Sequence, residues 1–166
     1  SVDSGAILFG LTAVKNVGQS AVDSIIESRN SGGQFVDLFD FCSRVDLRAV
    51  NRRTIECMIM SGAMDKLGPH RASLLAGIET AINSGSNIQK DKESGQSTLF
   101  GGSEQTSIAK PKLPDVAPWS NVEILAKEKE SLGYWISGHP LDQDRDIFDC
   151  FVDLKLSDLE KMPEGR

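Results

Sequence analysis

GLTAVKNVGQSAVDSII, residues 10–26, decides how the first half of this sequence folds. Leu11 to Val14 close one helix, Lys15 to Gly18 form a tight turn, and Gln19 onward opens the next helix. Ala21, Val22, Ile25 and Ile26 then share one face at helical spacing. The layout is helix, hairpin, helix. Gly18 lets the backbone turn tightly and come close to a ligand. The N–H groups of Gly18, Gln19 and Ser20 open a helix, lack intrahelical acceptors and can hold a phosphate. Lys15 adds a cation beside them, and Asn16 lies in the turn. Such a site grips the backbone of a nucleic acid and reads no bases. The same geometry also serves as a purely structural connection between helices, and both readings stand at this point.

Working outward, residues 1–83 read as short helices with tight connectors. Gly32-Gly33 ends the helix that Gln19 begins. In FVDLFDFCSRVD, Asp37 caps a helix whose stripe is Leu38, Phe41, Cys42 and Val45. In VNRRTIECMIMSG, Asn51 caps, Ile55, Met58 and Ile59 line one face, and Gly62 stops the helix. In HRASLLAGIETAINSG the stripe is Leu74, Leu75, Ile78, Ala81 and Ile82, with Gly85 as the exit. No segment of this half alternates like a strand. CMIMSGAMDKLGPHRASLL contains a second, longer turn from Ser61 to His70, with Lys66, Gly68, His70 and the following Arg71 as candidate phosphate contacts.

Residues 84–118 change character. Gly, Ser, Pro, Lys and Gln dominate, and the composition is that of a flexible linker. Within it GQSTLFGG places Leu99 and Phe100 side by side, just after Gln96. These two either fold back onto the nearest domain or form a short linear motif that docks in a partner's pocket. Helix then resumes in SNVEILAKEKESLGYWISGHP, where Ser120 and Glu123 form a capping box, Trp119 precedes the cap and Gly133 marks the end. Lys127, Glu128, Lys129 and Glu130 read as exposed helix charges. The stretch from Leu141 is acidic, with short amphipathic pieces around Ile147, Phe148, Phe151, Leu154, Leu156 and Leu159.

Charge narrows the function. The net charge of −6 argues against a general nucleic-acid-binding surface. Yet residues 1–75 hold eight Lys and Arg against eight Asp and Glu, whereas residues 120–166 hold six against eleven. Any contact with DNA therefore belongs to the first half, through backbone groups and a few placed cations. The three cysteines, Cys42, Cys57 and Cys150, have no CxxC spacing and suit a reducing, cytoplasmic setting. No apolar run approaches a membrane span. There is no Walker loop, no GxSxG and no Cys/His cluster at metal spacing, so no catalytic residue, metal ligand or cofactor site is assigned. Asp142, Asp144 and Asp146 read as a solvated face.

The order of pieces carries a resemblance. FGLTAVKNVGQSAVDSIIESR, FVDLFDFCSRVDLRAVNRRTIECMIMSGAMDKLGPHRASLL, GQSTLFGG and WSNVEILAKEKESLGYWISGHPLD together closely resemble the alpha-subunit family of bacterial replicative (family C) DNA polymerases. Nearly the whole chain takes part. VNRRTIECMIMSGAMDKLGPHRASLL and EKESLGYWISGHPLD are the most specific stretches. The resemblance implies a mainly α region that follows the fingers: a tandem helix-hairpin-helix unit (residues 1–83) on the duplex, a linker (84–118) whose Gln96, Ser97, Thr98, Leu99 and Phe100 match the Q-x-x-L-F peptide for the β sliding clamp, and a helical segment with an acidic tail (119–166) approaching an oligonucleotide-binding (OB) domain absent here. It implies duplex DNA, the clamp and other holoenzyme subunits as partners. Catalytic aspartates and their Mg would lie in a palm domain outside this sequence. Both ends read as internal positions of a longer protein. A rival reading is a protein-interaction segment whose hairpins pack within the polymerase without touching DNA. A DNA-repair protein with its own active site is a third, weakened by the lack of clustered catalytic acids.

Overall fold

A computed structural model describes residues 2–3, 6–7, 9–93 and 111–151 of the chain, without the side chains of 2, 3, 6, 7, 93, 148 and 149. The candidate clamp peptide Gln96–Phe100 and the tail positions Leu154, Leu156 and Leu159 lie outside the described residues.

The described chain is built from six α-helices: α1 (Gln19–Gly32), α2 (Leu38–Arg44), α3 (Arg52–Met60), α4 (Arg71–Glu93), α5 (Asn121–Leu132) and α6 (Arg145–Phe151). Before them, β1 (Val2–Asp3) and β2 (Ala6–Ile7) pair antiparallel, with Val2 opposite Ile7 and Asp3 opposite Ala6. Two-residue strands are too short to display the period-two pattern by which strands are read from sequence.

The caps follow from local chemistry. The Asp37 carboxylate accepts the N–H of Asp40 at 2.7 Å, and the Asn51 side-chain Oδ1 accepts that of Thr54 at 3.0 Å. At α5 the capping box is complete in both directions: Ser120 Oγ accepts from Glu123 N and Glu123 Oε2 accepts from Ser120 N. Each such bond satisfies an N–H that the helix itself leaves without a partner. Gly133 ends α5 at φ +90°, a conformation that costs a residue with a Cβ about 1 kcal/mol or more. Arg44 closes the other end of α1: Nη2 donates to the carbonyls of Ser28 (2.6 Å) and Gly33 (2.8 Å), while its guanidinium lies 4.5 Å from the Phe35 ring centroid.

The core gathers the apolar stripes of the first four helices. Leu38, Cys42, Ile55, Met58, Ile59, Leu74 and Ile78 are all essentially without solvent exposure. Each buried aliphatic side chain of this size contributes about 1.5–3 kcal/mol before entropy is counted.

Two features depart from the sequence reading. First, Leu11–Ala13 is a single 3₁₀ turn, so the first hairpin is entered by one turn and not by a full helix. Second, α4 does not stop at Gly85 but runs to Glu93, into the stretch read as linker. Gly85 is a packing position: a Cβ there would run into the carbonyl group of Cys42 on α2. Past that crossing, Gln89 Nε2 donates to the carbonyls of Cys42 (3.0 Å) and Val45 (2.8 Å), capping α2 from α4. The close approach and these two bonds offset the roughly 1 kcal/mol that a glycine costs inside a helix.

Candidate nucleic-acid interface

In the first hairpin the residue with left-handed backbone is Asn16, at φ +62°, and not Gly18, which is extended at φ −80°, ψ 163°. Asn tolerates this region better than most residues because its short polar side chain bonds locally. Here Asn16 Nδ2 donates to Cys57 Sγ at 3.2 Å and its carbonyl accepts from Thr54 Oγ1 at 2.9 Å. Both bonds tie the turn to α3. From the other side, Lys15 N donates to the carbonyl of Ser131 at 2.9 Å and Lys15 Nζ to that of Glu130 at 2.7 Å. Lys15 thus caps the C-terminus of α5 with both its backbone N–H and its ammonium.

Gly18 is the N-cap of α1. It supplies no side chain to the first-turn N–H groups, and that turn holds no acidic residue. Gly18, Gln19 and Ser20 are all exposed, and a Cβ on Gly18 would find nothing closer than Ser20 Oγ at 4.0 Å. Gln19 donates to Asp23 at 2.8 Å and leaves the helix end clear. A 14-residue helix with no side-chain cap at its exposed N-terminus has there the electrostatics that favour an anion.

The second hairpin is arranged differently. His70 Nδ1 accepts the N–H of Ser73 at 3.1 Å and so caps α4. Gly68 is covered, since a Cβ there would come within 2.6 Å of Leu74 Cδ2 and 3.0 Å of Leu113 Cδ1. Arg71 is committed inward: Nε and Nη2 donate to the two oxygens of Asp65 at 2.8 and 2.9 Å, and Nη1 to Glu128 Oε1 at 2.9 Å. Lys66 alone of this set is an exposed cation. Gly18, Gln19 and Ser20 thus lie at one exposed, uncapped helix end, with Lys15 and Asn16 just before it and their side chains bonded to α5 and α3. Lys66, Gly68, His70 and Arg71 share no such end.

Glu128 corrects the reading of the α5 charges as exposed. It has no solvent exposure and accepts four hydrogen bonds: from Arg71, from Ile136 N (2.8 Å), from Ser137 N (2.9 Å) and from Ser137 Oγ. Burial by itself pushes its carboxyl upward, but the Ser137, Arg71 and Ile136 donors outweigh that and hold it below the ordinary carboxylate range. The only hint in the sequence is that Glu128 falls on the same helical face as Leu125 and Leu132.

A model of the helix-hairpin-helix motif family matches residues 1–74, which include the first hairpin and the turn of the second. The chain is 42% identical over 142 residues to a Vibrio cholerae protein named DNA polymerase III subunit alpha, a match that covers 85% of this chain and 12% of that protein. It is 38% identical to the Haemophilus influenzae protein of that name and 37% to that of Escherichia coli K12, in each case over 99% of this chain and 14% of the relative.

The chain belongs to the DNA polymerase III alpha-subunit family.

It spans about one-eighth to one-seventh of the length of these alpha subunits. Within this alpha-subunit segment, no group of three or more His, Cys, Asp and Glu among the described residues is placed to hold a metal ion. Nor is any helix among them long and apolar enough to cross a membrane.

Proposed function

We propose that this segment gives a replicative DNA polymerase a sequence-independent grip on duplex DNA and carries the peptide that tethers the enzyme to its sliding clamp. The observation that carries the grip is the uncapped, exposed N-terminus of α1. Its N–H groups suit a phosphate oxygen and offer nothing to a base edge. Nucleotidyl transfer and its Mg belong, on this reading, to the catalytic aspartates of a palm outside this sequence, in a cytoplasmic holoenzyme.

The tether rests on sequence. Leu99 and Phe100 are the only large apolar residues between Ile88 and Ile108, and Gly95, Gly101 and Gly102 flank the peptide. Two such side chains in an apolar pocket supply roughly 3–6 kcal/mol gross, and ordering the peptide offsets much of it. A weak contact suffices when the ring and the polymerase hold the same DNA, because the local concentration is then high.

Gly18→Asp tests the grip. An aspartate at an N-cap is at least as good for the helix as glycine, and there is room for its side chain. It also places a negative charge where the phosphate would sit. The variant should fold as well as the parent and lose affinity for a short duplex at low salt. A parent chain that binds no duplex even at low salt would sink the grip.

A second reading is favoured by the exposed apolar residues Phe9, Tyr134, Ile136, Ile147 and Phe151. On that reading the segment packs against other parts of the polymerase and the hairpins touch no DNA. Unchanged duplex affinity in Gly18→Asp would select it.

A further inference from the structure

We infer that the second hairpin is a dock for the chain's own segment 111–118 and not a second grip on DNA, so that the tandem unit holds the duplex from one hairpin only. The inference rests on the proposed grip for its DNA half and on geometry alone for the dock.

The two hairpins differ at two points where a phosphate would bind, the helix cap and the space above the glycine. At the first, the helix end has no side-chain cap; at the second, His70 already occupies it. At the first, the space above the glycine is open; at the second it is filled by Leu113 and Leu74. The cations do not separate the two hairpins: Lys15 Nζ donates to the Glu130 carbonyl at the end of α5, Arg71 is paired with Asp65 and Glu128, and Lys66 is exposed.

What fills the second hairpin is specific. Leu113 lies over Gly68 of the turn and Gly77 of α4: a Cβ at Gly77 would collide with its Cδ2, and one at Gly68 would collide with Leu74 and come within 3.0 Å of Leu113 Cδ1. Two glycines one helical stretch apart, with Leu74 between them, form a socket for one leucine side chain. Beside it Ser73, 2% exposed, donates Oγ–H to the carbonyl of Pro114 at 2.7 Å. A buried hydroxyl bonded to a loop carbonyl fixes the register of that loop, since sliding it would leave the hydroxyl unpaired. Leu113 and then Trp119 join the edge of the core.

The dock also bounds the candidate clamp peptide. In sequence, residues 94–110 lie between the end of α4 and the Leu113 anchor, and both of these belong to the same helical body. In sequence the peptide is thus joined on both sides to that body, within a stretch of 17 residues.

The experiment uses the whole chain and a 20-base-pair duplex in a salt titration, together with amide hydrogen exchange. Lys66→Glu should leave duplex affinity within about twofold, the range of a surface change away from a site. Gly18→Asp should lower it at least about tenfold and make the salt slope shallower. Leu113→Ala should raise exchange of the amides in 111–118 at least about tenfold while the amides of α1 and α3 keep their protection. Gly77→Ala repeats this second arm by a route that favours helix and presses on Leu113 and Pro114. Equal losses in Lys66→Glu and Gly18→Asp overturn the one-sided grip. Unchanged exchange in 111–118 in both dock variants overturns the dock. Absence of duplex binding by the parent overturns the grip and with it the DNA half, while the exchange arm still decides the dock.

Discussion

Nη1 of Arg71 lies 2.9 Å from Oε1 of Glu128, and this contact fastens the first turn of α4 to the middle of α5. Glu128 has no exposed surface and the Arg71 side chain is 12% exposed. Removing one partner leaves the other charged and buried, so Arg71→Ala is expected to cost about 3 kcal/mol or more. Urea denaturation followed by circular dichroism checks this; a loss under about 1 kcal/mol would show the pair to be incidental.

The same carboxylate predicts a pH dependence. Glu128 is held below the ordinary carboxylate range in the folded chain. Its contribution is therefore complete above the unfolded-state range and is lost as pH falls through the folded value. The stability difference between the parent and Glu128→Gln should be greatest near neutral pH and shrink as pH drops below about 4. A difference that grows on acidification would reverse the sign of this account.

Gly85→Ala offers a contest between two local effects. Helix propensity favours alanine by about 1 kcal/mol. The Cβ would meet the backbone of Cys42, with its carbonyl carbon only 2.6 Å away, and backbone cannot step aside as a side-chain end can. Overpacking of this kind typically costs about 1–3 kcal/mol, so the variant should be less stable on balance. A thermal melt decides, and a raised midpoint would mean that α2 and α4 separate without penalty.

The thiols should differ in reactivity. Burial pushes Cys42 up to about 12, and Cys57 is buried as well, whereas Cys150 is exposed. With a thiol reagent near pH 8, one cysteine should react quickly in the folded chain and all three after denaturation. Rapid labelling of Cys42 in native buffer would show that the α2–α4 contact opens readily.

For the tether, changing Leu99 and Phe100 to alanine should abolish capture on an immobilised β clamp and leave the circular dichroism spectrum unchanged. Unfolding in that double variant would mean that the two side chains serve the chain's own core.

Sequence alone determined the starts of α2, α3 and α5 and the buried face of α2, because caps and apolar stripes are made within three or four residues of chain. Asp37, Asn51 and Ser120 cap as their types predict, and Leu38, Phe41, Cys42 and Val45 bury as their spacing predicts. Only the tertiary structure decided which charged and which glycine positions are interior. Glu128 reads as one more charge in KEKE until Arg71, 57 residues earlier, reaches it. Gly85 reads as a stop until α2 is laid against it, and Gly68 reads as a phosphate contact until Leu113 covers it. Each of these depends on a partner far away in sequence, and the free energy of burying a charge or omitting a side chain has no meaning until that partner is in place.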